Sequence, residues 1–247
     1  MTDESFTSRT ARLIGEEGVR RLSASTVLIM GLGGVGGYVL EGLARAGIGR
    51  FIVADCDVFS ESNLNRQILA TTETIGQKKT EIARLRVKSI NPKAEVVPFD
   101  AFLSAENIPE LFSLGEISFA VDAVDNVTAK IAAVSYAVSH GVPVVTCMGT
   151  GNHLDPSRFV IGDIEKSSVC PLARVMRAEL RRRGIRGVTA LWSTEPPLKE
   201  SGSDGGRLPP SSVSYVPSVA GLLIAGYVVR ALSGAGSNIE HKKDVQS

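Results

Sequence analysis

Two short runs of this chain carry residue types that handle phosphate. The first is Gly31-Leu32-Gly33-Gly34-Val35-Gly36. Glycines at 31, 33 and 36 let the backbone approach a phosphate, and a helix opening there aims its free amides at the anion. Asp55, which closes the next apolar run, is placed to accept ribose hydroxyls. This pattern alone serves NAD as well as ATP. The second run separates the two. Asp55-Cys56-Asp57 leads to Ser62-Asn63-Leu64-Asn65-Arg66-Gln67 and then Gly76-Gln77-Lys78-Lys79, a supply of amide, guanidinium and ammonium groups beside the ribose-binding acid. A nicotinamide enzyme has no use for them there, whereas a triphosphate with about four negative charges does; Arg offers a fork matched to phosphate oxygens and Lys a point charge. The pair of runs therefore points to ATP and to chemistry at its α-phosphate.

The surrounding pattern alternates strand and helix. Thr26-Val27-Leu28-Ile29-Met30 reads as a strand buried on both faces, 34–46 as a helix closed by Gly47, and 50–54 as the second strand. The spacing then predicts a helix over 79–90, stopped by Asn91-Pro92, and a third strand over 95–99. Strands over 117–121 and 142–147 enclose a helix over 129–139. Strand, helix, strand at this spacing implies parallel strands with right-handed crossovers, hence an α/β, doubly wound, mostly parallel Rossmann-like sheet. Gly31, Asp55, Asp122 and Gly149 all follow predicted strand ends and should line one crevice. Beyond Gly151 the alternation weakens: a strand over 158–164, a helix over 171–183 opened by Pro171, a Gly, Ser and Pro-rich loop over 199–212, and a frayed end over 240–247. A helix over 9–22 precedes the first strand. We read residues 1–247 as one domain, with a nucleotide-binding core over about 24–150 and a C-terminal elaboration over about 151–235.

Composition excludes little. A 43% hydrophobic chain of 247 residues can bury one substantial core, and a net charge of +1 gives no global attraction to polyanions. The three cysteines, Cys56, Cys147 and Cys170, form no CxxC pair, which argues for a reducing, cytoplasmic setting and against structural zinc. The uncharged stretch 213–229 is broken by Pro217 and reads as a buried helix over 218–232 rather than a membrane span.

The motifs GLGGVG, DCDVFSESNLNRQ, GQKKTE, INP and DAVDN together resemble the ThiF-type family, the fold of ubiquitin-activating and sulfur-carrier-adenylating enzymes. The resemblance implies Gly34 as a nucleotide-loop contact and Asp55 as the ribose ligand. It also implies Asn63, Arg66 and Lys79 as phosphate contacts and Asp125 as the acid that binds Mg²⁺. Gly31, Gly33, Gly36, Asp57 and Asn126, within the same motifs, complete the nucleotide-binding set, and Arg66, Lys79 and Asp125 are the catalytic candidates. For Asp125 an N-cap to the following helix is the competing role. Outside this core, FTSRTARLIGEEG, ARAGIG, DPSR, CPLARVMR and STEP resemble the tRNA threonylcarbamoyladenosine dehydratase branch. That branch uses ATP to adenylate the carboxylate of a modified adenosine beside the anticodon, and the group then closes on itself. It implies a tRNA substrate and a homodimer, with a sulfur-transfer or carrier-protein partner in related systems.

Some readings stay open at this level. Arg9 matches an arginine that, in the family, reaches the other subunit's ATP site, or it is a plain surface residue. Arg174, Arg177, Arg181, Arg182, Arg183 and Arg186 crowd one predicted helix, fitting either a tRNA backbone or a solvated face bridged by Glu179. Cys170 lies where related enzymes place a thioester cysteine, without a neighbouring histidine. Adenylation of a carrier protein's C-terminus is the rival activity; an ATP-sensing or tRNA-binding adaptor and a nicotinamide oxidoreductase are the others.

Overall fold

A computed structural model describes residues 5–198 and 210–235. Its elements run α1 (Ser8–Ala24), β1 (Thr26–Met30), α2 (Gly36–Ala46), β2 (Arg50–Ala54), α3 (Lys79–Ile90), β3 (Glu95–Phe99) and α4 (Ile108–Ser113). They continue through β4 (Phe119–Asp122), α5 (Val127–Ser139), β5 (Val144–Cys147), β6 (Phe159–Asp163), α6 (Pro171–Arg182), β7 (Thr189–Ser193) and α7 (Tyr215–Ser233). The strands form one seven-stranded sheet in the order β3-β2-β1-β4-β5-β7-β6. All neighbours pair in parallel except β6, which runs antiparallel to β7. Strand order reverses between β1 and β4, the point at which such sheets open a crevice at their carboxyl ends.

The sequence explains these boundaries. Strand β1 is buried along its whole length because it lies mid-sheet with helices on both faces. Helix α2 stops where Gly47 adopts φ 94°, a left-handed cap that returns its N–H to Leu43 and Ala44. Strands β4 and β5 start later than the apolar runs suggest. Ser118 spends its hydroxyl and its N–H on Thr26, and Pro143 has no N–H to give a ladder. Two elements escape the sequence reading: α4 is too short for a helical period, and β7 (Thr-Ala-Leu-Trp-Ser) carries no alternation that marks it as a strand. The predicted loop over 199–212 falls mostly, and the C-terminal 240–247 wholly, outside the described residues.

Two apolar layers sandwich the sheet. Leu22, Val39, Leu40, Leu43, Ala83, Val87, Ile224 and Val228 from α1, α2, α3 and α7 cover one face. Ile108, Leu111, Ala133, Val134, Met176 and Leu180 from α4, α5 and α6 cover the other. Helix α7 is long and apolar enough to cross a membrane, yet half of its apolar window is buried in the fold. It packs closely on α2 because small residues face each other. A Cβ on Gly42 would lie 2.8 Å from that of Ala225, and one on Gly221 would lie 2.5 Å from the Val35 carbonyl. Helix α1 is broken at Gly15 (φ 80°, ψ 158°) and leans on α7 and α2 through Gly18 and Leu22.

Candidate active site

The glycine turn leaves β1 at Gly31, whose φ of 87° and N–H bond to Ala54 carry the chain back beneath the β4 loop. A side chain at Gly31 would strike the Ala123 carbonyl at 2.7 Å, and one at Gly36 would strike the Gly31 carbonyl at 1.8 Å. These two glycines are architectural. Gly34 lies under Pro217 of α7, 3.2 Å from where its Cβ would be. Gly33 is different: apart from Gln67 Nε2 at 3.9 Å, nothing would crowd a Cβ there, so its backbone faces open space. Asp55 ties the turn to β2, accepting the Leu32 N–H at 2.7 Å on one oxygen and the Asp57 N–H at 2.9 Å on the other.

Lys79, at the start of α3, is buried and donates to Asp57 at 2.8 Å, with Asp55 at 3.8 Å. That ammonium holds the Asp57 carboxyl below the usual carboxylate range. A cation enclosed beside two acids and facing a cavity is ready to exchange one anionic partner for another. Asn63 closes a single 3₁₀ turn, its side-chain oxygen accepting the Ser60 N–H at 3.1 Å and its carbonyl accepting from Arg66 and Gln67. Arg66 donates from one terminal nitrogen to the Ser62 carbonyl and Asn65 Oδ1, both at 2.8 Å. This leaves Nε and Nη2 of the fork available.

The loop after β4 is held from below. Asp122 and Lys130 are both fully buried and paired at 2.9 Å. Asp122 also accepts from Thr146 Oγ1 at 2.5 Å and from the Val124 N–H, while Lys130 donates to the Val124 carbonyl at 3.0 Å. Asp122 was expected in the crevice; instead it ends β4 inside the core and braces the loop. Asn126 takes the N-cap of α5 through the Ala129 N–H at 3.0 Å, so capping is not the role of Asp125. The Asp125 carboxylate is exposed and, among the described residues, without a partner.

Gly31, Gly33, Gly34, Asp55, Asp57, Asn63, Arg66, Lys79, Asp125 and Asn126 line one cavity of about 950 Å³. Of the predicted set only Gly36 stands behind it. Gly149, expected at the end of β5, lines it too. The cavity has further walls that sequence reasoning did not find: Thr150 and Gly151 after Gly149, Pro210 and Ser212 from the segment leading into α7, and Pro217 in the first turn of α7. No spacing rule joins such distant positions. Cys147 also reaches the lining, but burial pushes its thiol up to about 12, so it stays protonated. Cys170 is buried at the start of α6 and does not line the cavity, and Arg9 is exposed on α1.

Residues 7–245 match the sequence model of the ThiF family. The chain belongs to the ThiF family. Within that family it is 39% identical over 238 residues to tRNA threonylcarbamoyladenosine dehydratase of Bacillus subtilis, covering 91% of this chain and 93% of that one. Crystal structures of the E. coli tRNA N6-threonylcarbamoyladenosine dehydratase, TcdA, in complex with AMP and with ATP superpose with TM-scores of 0.84. Their sequence identities are 30% and 29%, and each pair covers 93% of this chain and 94% of the other. The sulfur carrier protein adenylyltransferase of Thermus thermophilus is 38% identical, but over only 53% of this chain and 48% of its own.

The arginines of this ThiF chain divide into two groups. Arg177 donates to the Ser167 carbonyl at 2.8 Å, Arg181 pairs with Glu165, and Arg182 and Arg183 both pair with Glu179. Arg174 and Arg186 are exposed and carry no ion pair among the described residues, as does Lys166. Leu172, in the first turn of α6, lines the cavity, so the basic helix starts at the wall of the site and runs away from it.

Proposed function

We propose that this chain is an ATP-dependent tRNA threonylcarbamoyladenosine dehydratase that activates the substrate carboxylate as an acyl-adenylate, releasing pyrophosphate and then AMP. The observation that carries this reading is the convergence on one cavity of an open glycine turn, a half-free Arg66 fork, the buried Lys79 and the unpartnered Asp125. Similarity across nearly the full length to a dehydratase, rather than across half to a carrier-protein adenylyltransferase, favours the tRNA substrate. Cys170, enclosed in the core, offers no accessible thiol to a carrier protein.

Asp55 accepts the ribose hydroxyls and the turn amides of α2 receive the phosphates. The substrate carboxylate attacks the α-phosphorus in line, one P–O bond forms and the bond to pyrophosphate breaks. Negative charge grows on the non-bridging oxygens and on the leaving group. The free nitrogens of Arg66 meet that charge in place, and a preorganised donor contributes about 3 kcal/mol; Lys79 adds its charge by exchanging Asp57 for the phosphate. The exposed, unpaired Asp125 suits a divalent cation that keeps water and phosphate as its other ligands. Bound Mg²⁺ would neutralise phosphate charge at that position. The acyl-adenylate is then attacked from within the same modified nucleoside, so the chain needs no nucleophile of its own. Arg174, Arg186 and Lys166 provide the free charges for a tRNA backbone beside the cavity. In this reading the enzyme is a homodimer in which Arg9 is offered to the neighbouring subunit's nucleotide, and the chain is one ThiF-type domain.

Incubating the protein with ATP and tRNA carrying threonylcarbamoyladenosine should release pyrophosphate and AMP and remove one water from the nucleoside by mass. Arg66→Ala should abolish this while remaining folded. Pyrophosphate release with a carrier protein but not with tRNA would replace this reading with its rival.

A further inference from the structure

Residues 210 to 214 cross the nucleotide cavity as an irregular strap before α7 begins. Pro210 and Ser212 line the cavity. No helix or ladder holds the strap, and loop residues bond it on both sides. On one side Asn152 donates its N–H to the Ser211 carbonyl at 2.8 Å and accepts the Ser211 N–H on Oδ1 at 2.7 Å, closing a ring between the two residues. The Asn152 carbonyl also accepts from Leu198 at 2.8 Å. To make all three bonds Asn152 adopts φ 61°, a region that Asn and Asp tolerate better than other residues with side chains. Gly151 beside it has no room for a Cβ, which would lie 2.7 Å from that of Pro210.

On the other side one amide does two things. Asn65 Nδ2 donates to the Ser212 carbonyl at 3.1 Å, and Asn65 Oδ1 accepts from Arg66 at 2.8 Å. A primary amide is a neutral group that can receive from a guanidinium and donate to a carbonyl at once. The order of the sheet shows where the Asn152 side of the strap lies. Asp55 follows β2, the glycine turn follows β1, Asp125 follows β4 and Gly149 follows β5, side by side along the carboxyl edge. Ribose and phosphates occupy the first two positions. The acceptor therefore enters at the β5 end, between Gly149 to Gly151 and the strap.

We propose that Asn152 and Asn65 are positioning residues. Asn152 fixes one side of the strap at the acceptor entrance, and Asn65 holds its other side while aiming the phosphate-binding Arg66 fork, so that Asn65 alone serves both the entrance and the fork. The inference rests on the adenylation reading for the identity of the acceptor, but the link between strap and arginine does not.

The test compares Asn152→Ala, Asn152→Asp, Asn65→Ala and the double alanine variant, all as full-length protein. Four quantities are measured: affinity for a non-hydrolysable ATP analogue, KM and kcat with modified tRNA, and hydrogen exchange at the Ser211 amide. Asn152→Ala should raise the tRNA KM about tenfold, speed Ser211 exchange and leave analogue affinity within about twofold, the size expected for losing one hydrogen bond at a loop. Asn152→Asp keeps both the acceptor and the backbone angle and should restore KM. Asn65→Ala should weaken the analogue and the tRNA together. The double variant should show no more KM change than its worse parent, because both residues act on the same strap. KM effects that multiply, failure of Asn152→Asp to rescue, or an equal loss of analogue affinity in Asn152→Ala would each overturn the proposal. A wild-type protein that binds the analogue but releases no pyrophosphate with tRNA would overturn the adenylation reading alone. Ser211 exchange and analogue affinity would still decide the link.

Discussion

Gly33→Ala separates nucleotide binding from folding. The free protein has room for the methyl group, because within 4 Å of that Cβ there is only the flexible end of Gln67 at 3.9 Å. Gly33 also has an ordinary backbone angle, since it is not among the glycines with positive φ. The cost should fall on the ligand alone. If phosphates rest on the turn, the methyl displaces them from one amide, a charge-assisted bond contributing about 1.5–3 kcal/mol, which corresponds to roughly 10- to 150-fold weaker binding. Titration calorimetry with a non-hydrolysable ATP analogue reads the affinity, and thermal unfolding without ligand should change by less than about 2 °C. Gly36→Ala is the control: its Cβ would lie 1.8 Å from a carbonyl oxygen, so it should fail to fold. Wild-type affinity in Gly33→Ala would refute the placement of phosphates over this turn, and loss of the fold would refute the claim that the space is open.

Asp125→Ala should lower pyrophosphate release by about 10²–10³ with the melting temperature unchanged, since among the described residues the carboxylate has no structural partner to lose. Lys130→Met should destabilise by about 3–5 kcal/mol in denaturant melts, because it strands the fully buried Asp122, and Asp122→Asn in the same chain should recover part of the loss. Glu41 joins α2 to α3 through Arg86 at 2.8 Å. Burial works against its charge, but the Arg86 and Arg45 hydrogen bonds outweigh burial and hold the carboxyl below its usual value. Its contribution is thus present above the ordinary carboxylate range and lost as pH falls through the depressed value. Glu41→Gln should cost about 1–2 kcal/mol at neutral pH, with the difference from wild type vanishing in acid melts.

The legible part of this molecule was local. Strands β1, β2 and β3 and helix α3 sit where apolar runs and Asn91-Pro92 place them, because each signal lies within a few residues of what it controls. That Asp55, Arg66 and Lys79 line one cavity was readable for the same reason: they belong to one motif run that starts at the end of β2. What escaped depends on partners far along the chain. Asp122 and Asp125 look alike as acids in one motif, and only the buried Lys130 shows that the first supports the loop while the second faces the cavity. The arginines of α6 and its end look alike in sequence, yet Glu165 and Glu179 pair with three of them, while Arg174 and Arg186 form no ion pair among the described residues. Asn152 and Ser212 carry no motif, and their roles exist only once the strap has crossed the cavity.

Pro217, resting on Gly34, has a thermodynamic consequence. A ligand that needs the glycine turn in its native shape also needs α7 docked, so binding and docking must stabilise each other by mass action. Saturating nucleotide should therefore slow hydrogen exchange along Tyr215–Ser233, well beyond any residue the ligand touches. A nascent chain whose α7 has not yet emerged would expose the apolar side of α2 and hold nucleotide weakly. For this protein ATP would act as a late folding aid as well as a reactant.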